Sequence, residues 1–264
     1  MLPLAAWAVP RPHRIVGVFT DIDDTLTTEG ALTPEALQAL ADLKAAGLHV
    51  APITGRPVGW SEPFAQSWPV DAIVAENGAV GLTHSPAHGL RKRYQQDLAT
   101  RSANFTRMQA VLTEIERSVP GAQRSQDSAG RETDIAIDHS EFTQLPQNAI
   151  DDVVRLMRSA GMTATVSSIH INGWFGTHSK LTGARWIVRE LWGRDLDAEI
   201  DRWVYVGDST NDQVMFAHFP HSVGVANVRR FADQLTHPPR YITPSERGAG
   251  FAEVVRHLLG SVLG

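Results

Sequence analysis

The chain contains no cysteine, which excludes disulfide bonds and any nucleophile or metal site built on a thiolate. It has no stretch close to the roughly 20 apolar residues that cross a bilayer, so we predict no membrane partner. Positive charge is not in excess: the net charge of −5 argues against nucleic-acid binding through phosphate neutralisation. The apolar stretch of residues 1–10 has two prolines and no basic segment, so we expect a loose N-terminal arm over residues 1–13, no signal peptide, and a cytoplasmic protein.

Apolar, strand-like segments alternate with amphipathic, helical ones near both ends of the chain. The predicted strands cover residues 14–20, 48–53, 72–75, 203–206, 223–226 and 241–243. The predicted helices lie between Thr33 and Gly47 and over residues 181–191 and 251–259. Strand, helix and strand repeated in this order indicate parallel pairing with crossover helices. We therefore predict an α/β fold whose core is a Rossmann-like, doubly wound parallel sheet.

The pattern changes in the middle of the chain, where helices alternate with strands that have one polar face. Helices are predicted over residues 105–119 and 149–160, and strands over residues 131–138 and 163–171. We predict that residues 83–172 form an inserted α+β cap domain in a core made of residues 14–82 and 173–264. The insert holds ten basic and ten acidic residues, so the negative excess of five charges falls on the core, which fits a cation site there.

Two carboxylates, Asp21 and Asp23, stand where the first strand ends. Side chains two apart share a face, so both can point into the crevice beyond the strand, where open α/β sheets bind ligands. Clustered carboxylates repel each other, and a divalent cation relieves that repulsion. A solvated acidic turn is the alternative. A calcium-binding loop is excluded, because Leu26 and Leu32 replace its glycine and its final glutamate.

Three further segments have the chemistry of a phosphate and metal site. Thr54 and Gly55 offer a hydroxyl and backbone N–H groups at a strand end, which can hold phosphate or form an ordinary turn. Lys180 opens a helix, where its charge opposes the helix dipole and needs an anionic partner unless it is exposed. Asp208 and Asp212 are four apart and share a helix face, so they can bind magnesium or simply cap the helix.

Taken together, these segments resemble the haloacid dehalogenase-like phosphohydrolase superfamily. The sequence from Phe19 to Leu26 is similar to the first motif of that family, Thr54 to the second, Lys180 to the third, and Gly207–Asp212 to the fourth. The resemblance is greatest to the branch with a large type IIB cap, which includes sucrose-phosphate, mannosyl-phosphoglycerate and trehalose-phosphate phosphatases. One position departs from the motif, since Asp24 stands where glycine is common.

The resemblance implies a magnesium-dependent phosphatase that acts on a small phosphorylated metabolite, a sugar phosphate, through an aspartyl-phosphate. It makes Asp21 the nucleophile and Asp23 the general acid and later base. The implied phosphate-binding residues are Asp21, Thr54, Gly55, Lys180 and Asn211. The implied Mg²⁺ ligands are Asp21, Asp23 through its backbone carbonyl, Asp208 and Asp212. Neither the sugar nor the oligomeric state is specified by these motifs.

The segment that returns from the insert to the core carries candidate substrate contacts. His170 and Asn172 share a strand face and offer hydrogen bonds to sugar hydroxyls, while Trp174 can stack on a sugar ring. In the alternative, Trp174 packs at the hinge and His170 is a solvated strand residue. His170 and His178 flank a turn, but no histidine cluster has the spacing of a zinc site.

Two other functions are compatible with the same motifs. A phosphomutase would return the phosphoryl group to another hydroxyl, and release of free phosphate distinguishes it from a phosphatase. A non-catalytic protein that binds a phosphorylated metabolite would keep the fold and lose turnover. The complete set of Asp21, Asp23, Lys180 and Asp208 argues against that loss.

Overall fold

The computed structural model describes residues 1–9 and 15–260 of the protein. Its strands are β1 Leu2–Pro3, β2 Gly17–Thr20, β3 Thr27–Thr28, β4 Ala31–Leu32, β5 His49–Pro52, β6 Ile73–Ala75, β7 Val80–Ser85, β8 Gly89–Tyr94, β9 Gln123–Arg124, β10 Ile135–Asp138, β11 Thr163–Val166, β12 His170–Trp174, β13 Trp203–Gly207, β14 His221–Gly224 and β15 Tyr241–Ile242. Its α-helices are α1 Pro34–Ala45, α2 Val58–Ser67, α3 Leu98–Ser118, α4 Gln147–Ser159, α5 Lys180–Trp192, α6 Gln213–His218 and α7 Arg247–Gly260. Residues 10–13 of the predicted arm, and residues 14 and 261–264 of the predicted core, lie outside the described residues.

A six-stranded parallel sheet forms the centre of the molecule. Its strand order is β1-β15-β14-β13-β2-β5, and a parallel bridge from Ile53 to Val74 extends it towards β6. Alternate side chains of the strands enter two separate hydrophobic clusters: Val18 packs with helices α1 and α7, and Phe19 packs with α5 and α6. Helices therefore cover both faces, and the predicted doubly wound α/β fold is confirmed.

The start of the chain packs against this sheet, so the expectation of a loose arm is wrong for residues 1–9. Strand β1 pairs in parallel with β15 at the sheet edge. Trp7 is buried; its indole N–H donates to Nδ1 of His221 at 3.2 Å, and its carbonyl accepts from Nε2 of His257 at 2.8 Å. An apolar segment without periodicity does not indicate which part of the chain it packs against. The residues that bond to Trp7 lie more than 200 positions further along the chain.

The middle of the chain forms a second, antiparallel sheet. Its order is β11-β12-β10-β9, and α3 and α4 pack on one face around Met108, Leu112 and Met157. This is the helix-and-strand composition predicted for the insert. The boundaries at residues 83 and 172 stay a prediction, since β7 and β12 each run across one of them. No helix among the described residues has the length and hydropathy that crossing a membrane requires.

Candidate active site

The predicted site residues meet at the carboxyl ends of neighbouring central strands. Asp21 follows β2, and its N–H donates to the carbonyl of Val206 in β13 at 2.8 Å. On the other side, β2 pairs with β5, which leads to Thr54. Asp208 follows β13 directly. Because these parallel strands end at one edge, the first, second and fourth motifs share one crevice.

Lys180 joins these loops from the start of α5. The helix is capped by Ser179, whose side chain accepts from the N–H of Thr182. The buried ammonium of Lys180 lies 2.6 Å from Oδ1 of Asp21 and 2.7 Å from Oδ1 of Asp212. Burial opposes its charge, but the two carboxylates outweigh burial and raise its pKa. Lys180 therefore has the anionic partners that its position at the start of a helix predicts, and they are Asp21 and Asp212.

Asp212 uses both of its carboxylate oxygens inside the protein. Oδ1 accepts from Lys180 and from the hydroxyl of Tyr205, and Oδ2 accepts from the N–H groups of Asp208 at 2.9 Å and Ser209 at 3.2 Å. Burial raises the pKa of the Tyr205 hydroxyl, and the charge of Asp212 adds to this effect. Asp212 thus fixes Lys180 and the Asp208 loop, an arrangement that favours a supporting role over direct metal binding.

Three buried carboxylates come close enough together to hold one cation. Oxygens of Asp21, Asp208 and Asp212 all lie within 4.8 Å of one another. Burial raises the pKa of Asp21 to about 7; Asp212 and Asp23 add to the shift, and Lys180 opposes it. Burial, followed by the charge of Asp21, also raises the pKa of Asp208 well above its ordinary range. Because both oxygens of Asp212 are used inside the protein, Asp21 and Asp208 are the carboxylates left to bind a cation, and such oxygen donors fit a hard divalent cation such as Mg²⁺.

Asp208 is held by Thr25 of the first motif and by Asn227, which lies outside the four motifs. Its Oδ2 accepts from the Asn227 amide at 3.0 Å, and its Oδ1 accepts from the hydroxyl of Thr25 at 3.4 Å. The same amide of Asn227 donates to the carbonyl of Asp24 at 3.0 Å. Asn227 therefore ties the first motif to the fourth. It follows the motif by 15 residues, in the 3₁₀ helix Ala226–Gln234, and no local pattern marks it.

The departure at Asp24 has a structural explanation. Its backbone has φ of 55°, in the left-handed region that glycine adopts freely and aspartate tolerates better than most residues. Its carboxylate lies 3.1 Å from Nε of Arg247. The additional carboxylate is thus neutralised outside the group formed by Asp21, Asp208 and Asp212.

The carboxylate of Asp23 is turned away from that group and towards Arg56. Nε of Arg56 donates to both Asp23 oxygens, at 2.9 and 3.0 Å. The other guanidinium nitrogens reach Asp127 at 3.2 Å and Glu141 at 2.7 Å, both in the predicted insert. Burial opposes the charge of Arg56, but Asp23 and Glu141 raise its pKa. No role was predicted for Arg56 from the sequence, although it directly follows Thr54 and Gly55.

The turn after β5 contacts the antiparallel sheet. The hydroxyl of Thr54 accepts from the N–H of Arg56 at 2.9 Å. The carbonyl of Gly55 accepts from Arg131 at 3.0 Å and from Asn172 at 3.3 Å. Asn211, between Asp208 and Asp212, accepts from the hydroxyl of Ser209 at 3.0 Å. The roles of Thr54, Gly55 and Asn211 in phosphate binding stay predictions.

A turn of the predicted insert is docked on the central region beside this site. The buried carboxylate of Glu76 accepts the N–H groups of Glu132 at 2.9 Å and of Thr133. Gly59 of α2 and Gly130 touch through their backbones: a Cβ on Gly59 would lie 2.9 Å from the Cα of Gly130. Side chains are excluded at this contact because the two backbones are too close. The docking sets the position of Asp127 in the same turn.

The candidate substrate contacts on β12 are placed differently from the prediction. Trp174 is buried, stacks on His178 and donates its indole N–H to the carbonyl of His178 at 3.0 Å, so its face is not open to a sugar and the packing alternative applies. Asn172 donates to Oδ2 of Asp134 at 2.9 Å as well as to Gly55. His170 is buried with Nε2 2.9 Å from the carboxylate of Glu141, so the alternative is wrong in making it a solvated strand residue.

Asn172 is consequently expected to act through the Gly55 turn. Asn172→Ala should lower kcat/KM about tenfold on a small aryl phosphate as well as on a sugar phosphate, equivalent to about 1.4 kcal/mol. The control is Thr165→Ala, because Thr165 lies opposite Asn172 on β11 and its hydroxyl has no hydrogen-bond partner among the described residues. A loss confined to the sugar phosphate would instead make Asn172 a direct substrate contact.

Comparison with known proteins agrees with this architecture. Residues 18–106 match the family model described as haloacid dehalogenase-like hydrolase, which confirms the resemblance seen in the motifs. A solved protein of Thermoplasma acidophilum superposes with a TM-score of 0.73 at 17% identity, over 94% of this chain and 99% of that one. No curated protein sequence matches the chain.

Two solved sugar phosphatases share the fold. The sucrose-phosphatase of Synechocystis sp., solved with sucrose and phosphate, gives a TM-score of 0.65 at 17% identity, over 92% of this chain and 97% of that one. A sugar phosphatase of haloacid dehalogenase subclass IIB gives 0.62 at 15% identity, over 93% and 99%. The resemblance to the type IIB branch is therefore confirmed at the level of fold.

Proposed function

We propose that the protein is a magnesium-dependent phosphatase that hydrolyses a small phosphorylated metabolite, a sugar phosphate, through an aspartyl-phosphate. The observation that carries the proposal is the buried contact of Lys180 with Asp21 and Asp212, beside Asp208. Within one crevice, this group of residues supplies a nucleophile in Asp21, an ammonium that can hold phosphoryl oxygens in Lys180, and a site for a metal cation at Asp21 and Asp208. Phosphoryl transfer depends mainly on such positioning and charge neutralisation.

In the first step, a carboxylate oxygen of Asp21 attacks phosphorus and the bond to the leaving oxygen breaks. Lys180 holds a phosphoryl oxygen and keeps the nucleophile in place, and the turn of Thr54 and Gly55 holds the others. The product is an acyl phosphate on Asp21, and hydrolysis is thereby divided into two easier steps. In the second step, water attacks phosphorus, the Asp21–phosphate bond breaks, and inorganic phosphate leaves.

Asp23 moves the proton in both steps. As general acid it gives a proton to the leaving oxygen, and as general base it removes one from water in the second step. Arg56 fixes the orientation of the Asp23 carboxylate through both of its oxygens. A free carboxylate two residues beyond the nucleophile would sample several rotamers, so Arg56 is the positioning residue for the acid.

The cation would be held by Asp21, by the backbone carbonyl of Asp23 and by Asp208. When bound, it neutralises the repulsion between Asp21 and the phosphate dianion. Asn227 and Thr25 orient Asp208, and Asp212 supports the site by anchoring Lys180. Residues 83–172 would act as the cap that contacts the rest of the substrate, which is supported by Asp127 and Glu141 reaching Arg56.

Activity should require added Mg²⁺, disappear with a chelator, return when Mg²⁺ is restored, and be suppressed by Ca²⁺. Magnesium demands a tight octahedral shell, whereas calcium accepts more ligands and can draw both oxygens of Asp21 into its shell. The measurement is release of inorganic phosphate from a panel of sugar phosphates and one aryl phosphate. Full activity in chelator would contradict the metal site, and an isomeric sugar phosphate without free phosphate would indicate a phosphomutase.

A further inference from the structure

The guanidinium of Arg56, which bonds to the proposed general acid Asp23, is surrounded by three carboxylates. Asp23 comes from the first motif, while Asp127 and Glu141 come from the predicted cap. Their side chains keep between 13% and 20% of their surface exposed, whereas that of Arg56 keeps 7%. The carboxylates are therefore the part of this cluster that a substrate can reach.

The cluster carries more negative than positive charge. Arg131 is the second cation, bonded to Asp127 at 3.1 Å and to the buried Asp134 at 2.8 Å. Burial raises the pKa of Asp134 to about 7, against the opposing charge of Arg131. Even with Asp134 neutral, Asp23, Asp127 and Glu141 outnumber the two arginines. Nε2 of His170 lies 2.9 Å from Glu141 and would balance the third carboxylate only if the imidazole carried a second proton, so the excess applies with His170 neutral.

The leaving group of the proposed reaction must lie against this cluster. The general acid has to come within hydrogen-bond reach of the leaving oxygen, and Asp23 is held by the arginine that also holds Asp127 and Glu141. The part of the substrate beyond the scissile bond therefore meets two cap carboxylates, while the phosphate meets Lys180, which is bonded to Asp21 and Asp212.

We propose that Asp127 and Glu141 determine specificity by charge: they admit an uncharged polyol or a cationic amine as the leaving group and reject one that carries a carboxylate or a second phosphate. The proposal rests on the phosphatase function proposed above. Hydroxyl and ammonium groups donate hydrogen bonds to carboxylates. A second anion has no donor to offer and brings like charge into a poorly solvated space.

The experiment uses three aryl phosphates, so that the natural sugar need not be known. Phenyl phosphates with a 4-hydroxymethyl, a 4-aminomethyl or a 4-carboxy substituent are similar in size and in the acidity of the released phenol. In the wild-type protein with Mg²⁺, kcat/KM for the carboxy ester should be at least about 30-fold below that for the hydroxymethyl ester. The aminomethyl ester should be hydrolysed at least as well as the hydroxymethyl ester.

The variant that tests the residues is the double substitution Asp127→Asn and Glu141→Gln. It should raise the carboxy-to-hydroxymethyl ratio of kcat/KM about tenfold or more, because two amides of the same shape remove the repulsion. The control is Asp152→Asn, an exposed carboxylate on α4 paired with Arg155, which should leave the ratio unchanged. If the double variant does not fold, Glu141→Gln alone should change the ratio in the same direction.

The outcomes separate this proposal from the proposed function. If none of the three esters is hydrolysed, the phosphatase function is wrong. Equal hydrolysis of all three by the wild type overturns the charge selection and leaves the phosphatase intact. A folded double variant that loses activity on all three esters alike, with unchanged ratios, also overturns it, because Asp127 and Glu141 would then serve only to hold Arg56.

Discussion

Asp21→Asn should reduce phosphate release on the order of 10,000-fold or more, the scale of losses when catalytic nucleophiles are removed. An amide oxygen does not attack phosphorus to give a stable acyl phosphate, and the neutral side chain weakens the cation site. The measurement is steady-state release of phosphate from an aryl phosphate and a sugar phosphate. The matched control is Asp24→Asn, since Asp24 makes its ion pair with Arg247 and asparagine tolerates its positive φ. That variant should retain activity within a few-fold.

The same substitution should stabilise the metal-free protein above neutral pH. Burial, with Asp212 and Asp23, raises the pKa of Asp21 to about 7 in spite of Lys180. A carboxyl with a raised pKa binds its proton more tightly in the folded state, so its stabilising contribution is complete below the ordinary aspartate range and is lost as pH rises through about 7. In chelator, Asp21→Asn should therefore raise Tm at about pH 8 and much less at about pH 5.

Unchanged release of phosphate by a folded Asp21→Asn variant would refute the assignment of Asp21 as the nucleophile.

Asp23→Asn should lower kcat by about 100- to 10,000-fold on a sugar phosphate, the range typical of a lost general acid and base. On an aryl phosphate with a good leaving group, the first step needs little protonation and should suffer less. The second step still lacks its base, so the phosphorylated enzyme should accumulate. Rapid-quench kinetics with both substrates measures the two steps separately.

The Arg56→Lys variant provides the control for the experiment on Asp23→Asn. Arg56→Lys keeps a positive charge but loses the two-oxygen contact with Asp23, so it should reduce activity on the sugar phosphate more than on the aryl phosphate. Equal losses on the two substrates in Asp23→Asn would argue against the general acid. A loss in Asp23→Asn with no effect in Arg56→Lys would mean that Asp23 needs no positioning.

The central sheet was predictable because its strands are buried on both faces and end at polar turns. Phe19 and Val18 lie in an apolar run that fits no half-exposed strand, and Thr33 and Pro34 mark the start of α1 as expected. The catalytic motifs follow the strands directly, so the carboxyl ends of a parallel sheet bring them together whatever the loops do. Asp21, Asp208 and Lys180 converge for that reason.

The elements that the sequence analysis missed depend on distant partners. Helix α2 contains Pro63 and has no side-chain cap. The hairpin of β7 and β8 does have a turn signal in Ser85, Pro86 and Gly89, but the charged sequence of β8 has no apolar run that marks a strand. The same holds for Trp7, which is buried by His221 and His257 from the far end of the chain. The periodicity of a sequence indicates which face of a segment is apolar, but it does not indicate which other segment packs against that face.

The site residues that were missed act on the motif residues from outside the motifs. Asn227, Tyr205 and Arg56 each orient a predicted carboxylate, and their roles follow from distances that no spacing rule contains. The prediction for Trp174 failed for a related reason. An aromatic side chain near a hinge serves packing or ligand stacking equally well in sequence, and only its burial decides.

The most direct test of the account is to locate the phosphoryl group on the protein. Asp23→Asn would be mixed with Mg²⁺ and an aryl phosphate, quenched in acid and reduced with borohydride, which converts an acyl phosphate into an alcohol. The account predicts that peptide mass spectrometry finds homoserine in place of aspartate at position 21, and none when Asp21→Asn is added. Homoserine at Asp208 or Asp212, or a turning-over enzyme in which no carboxylate is reduced, would contradict it.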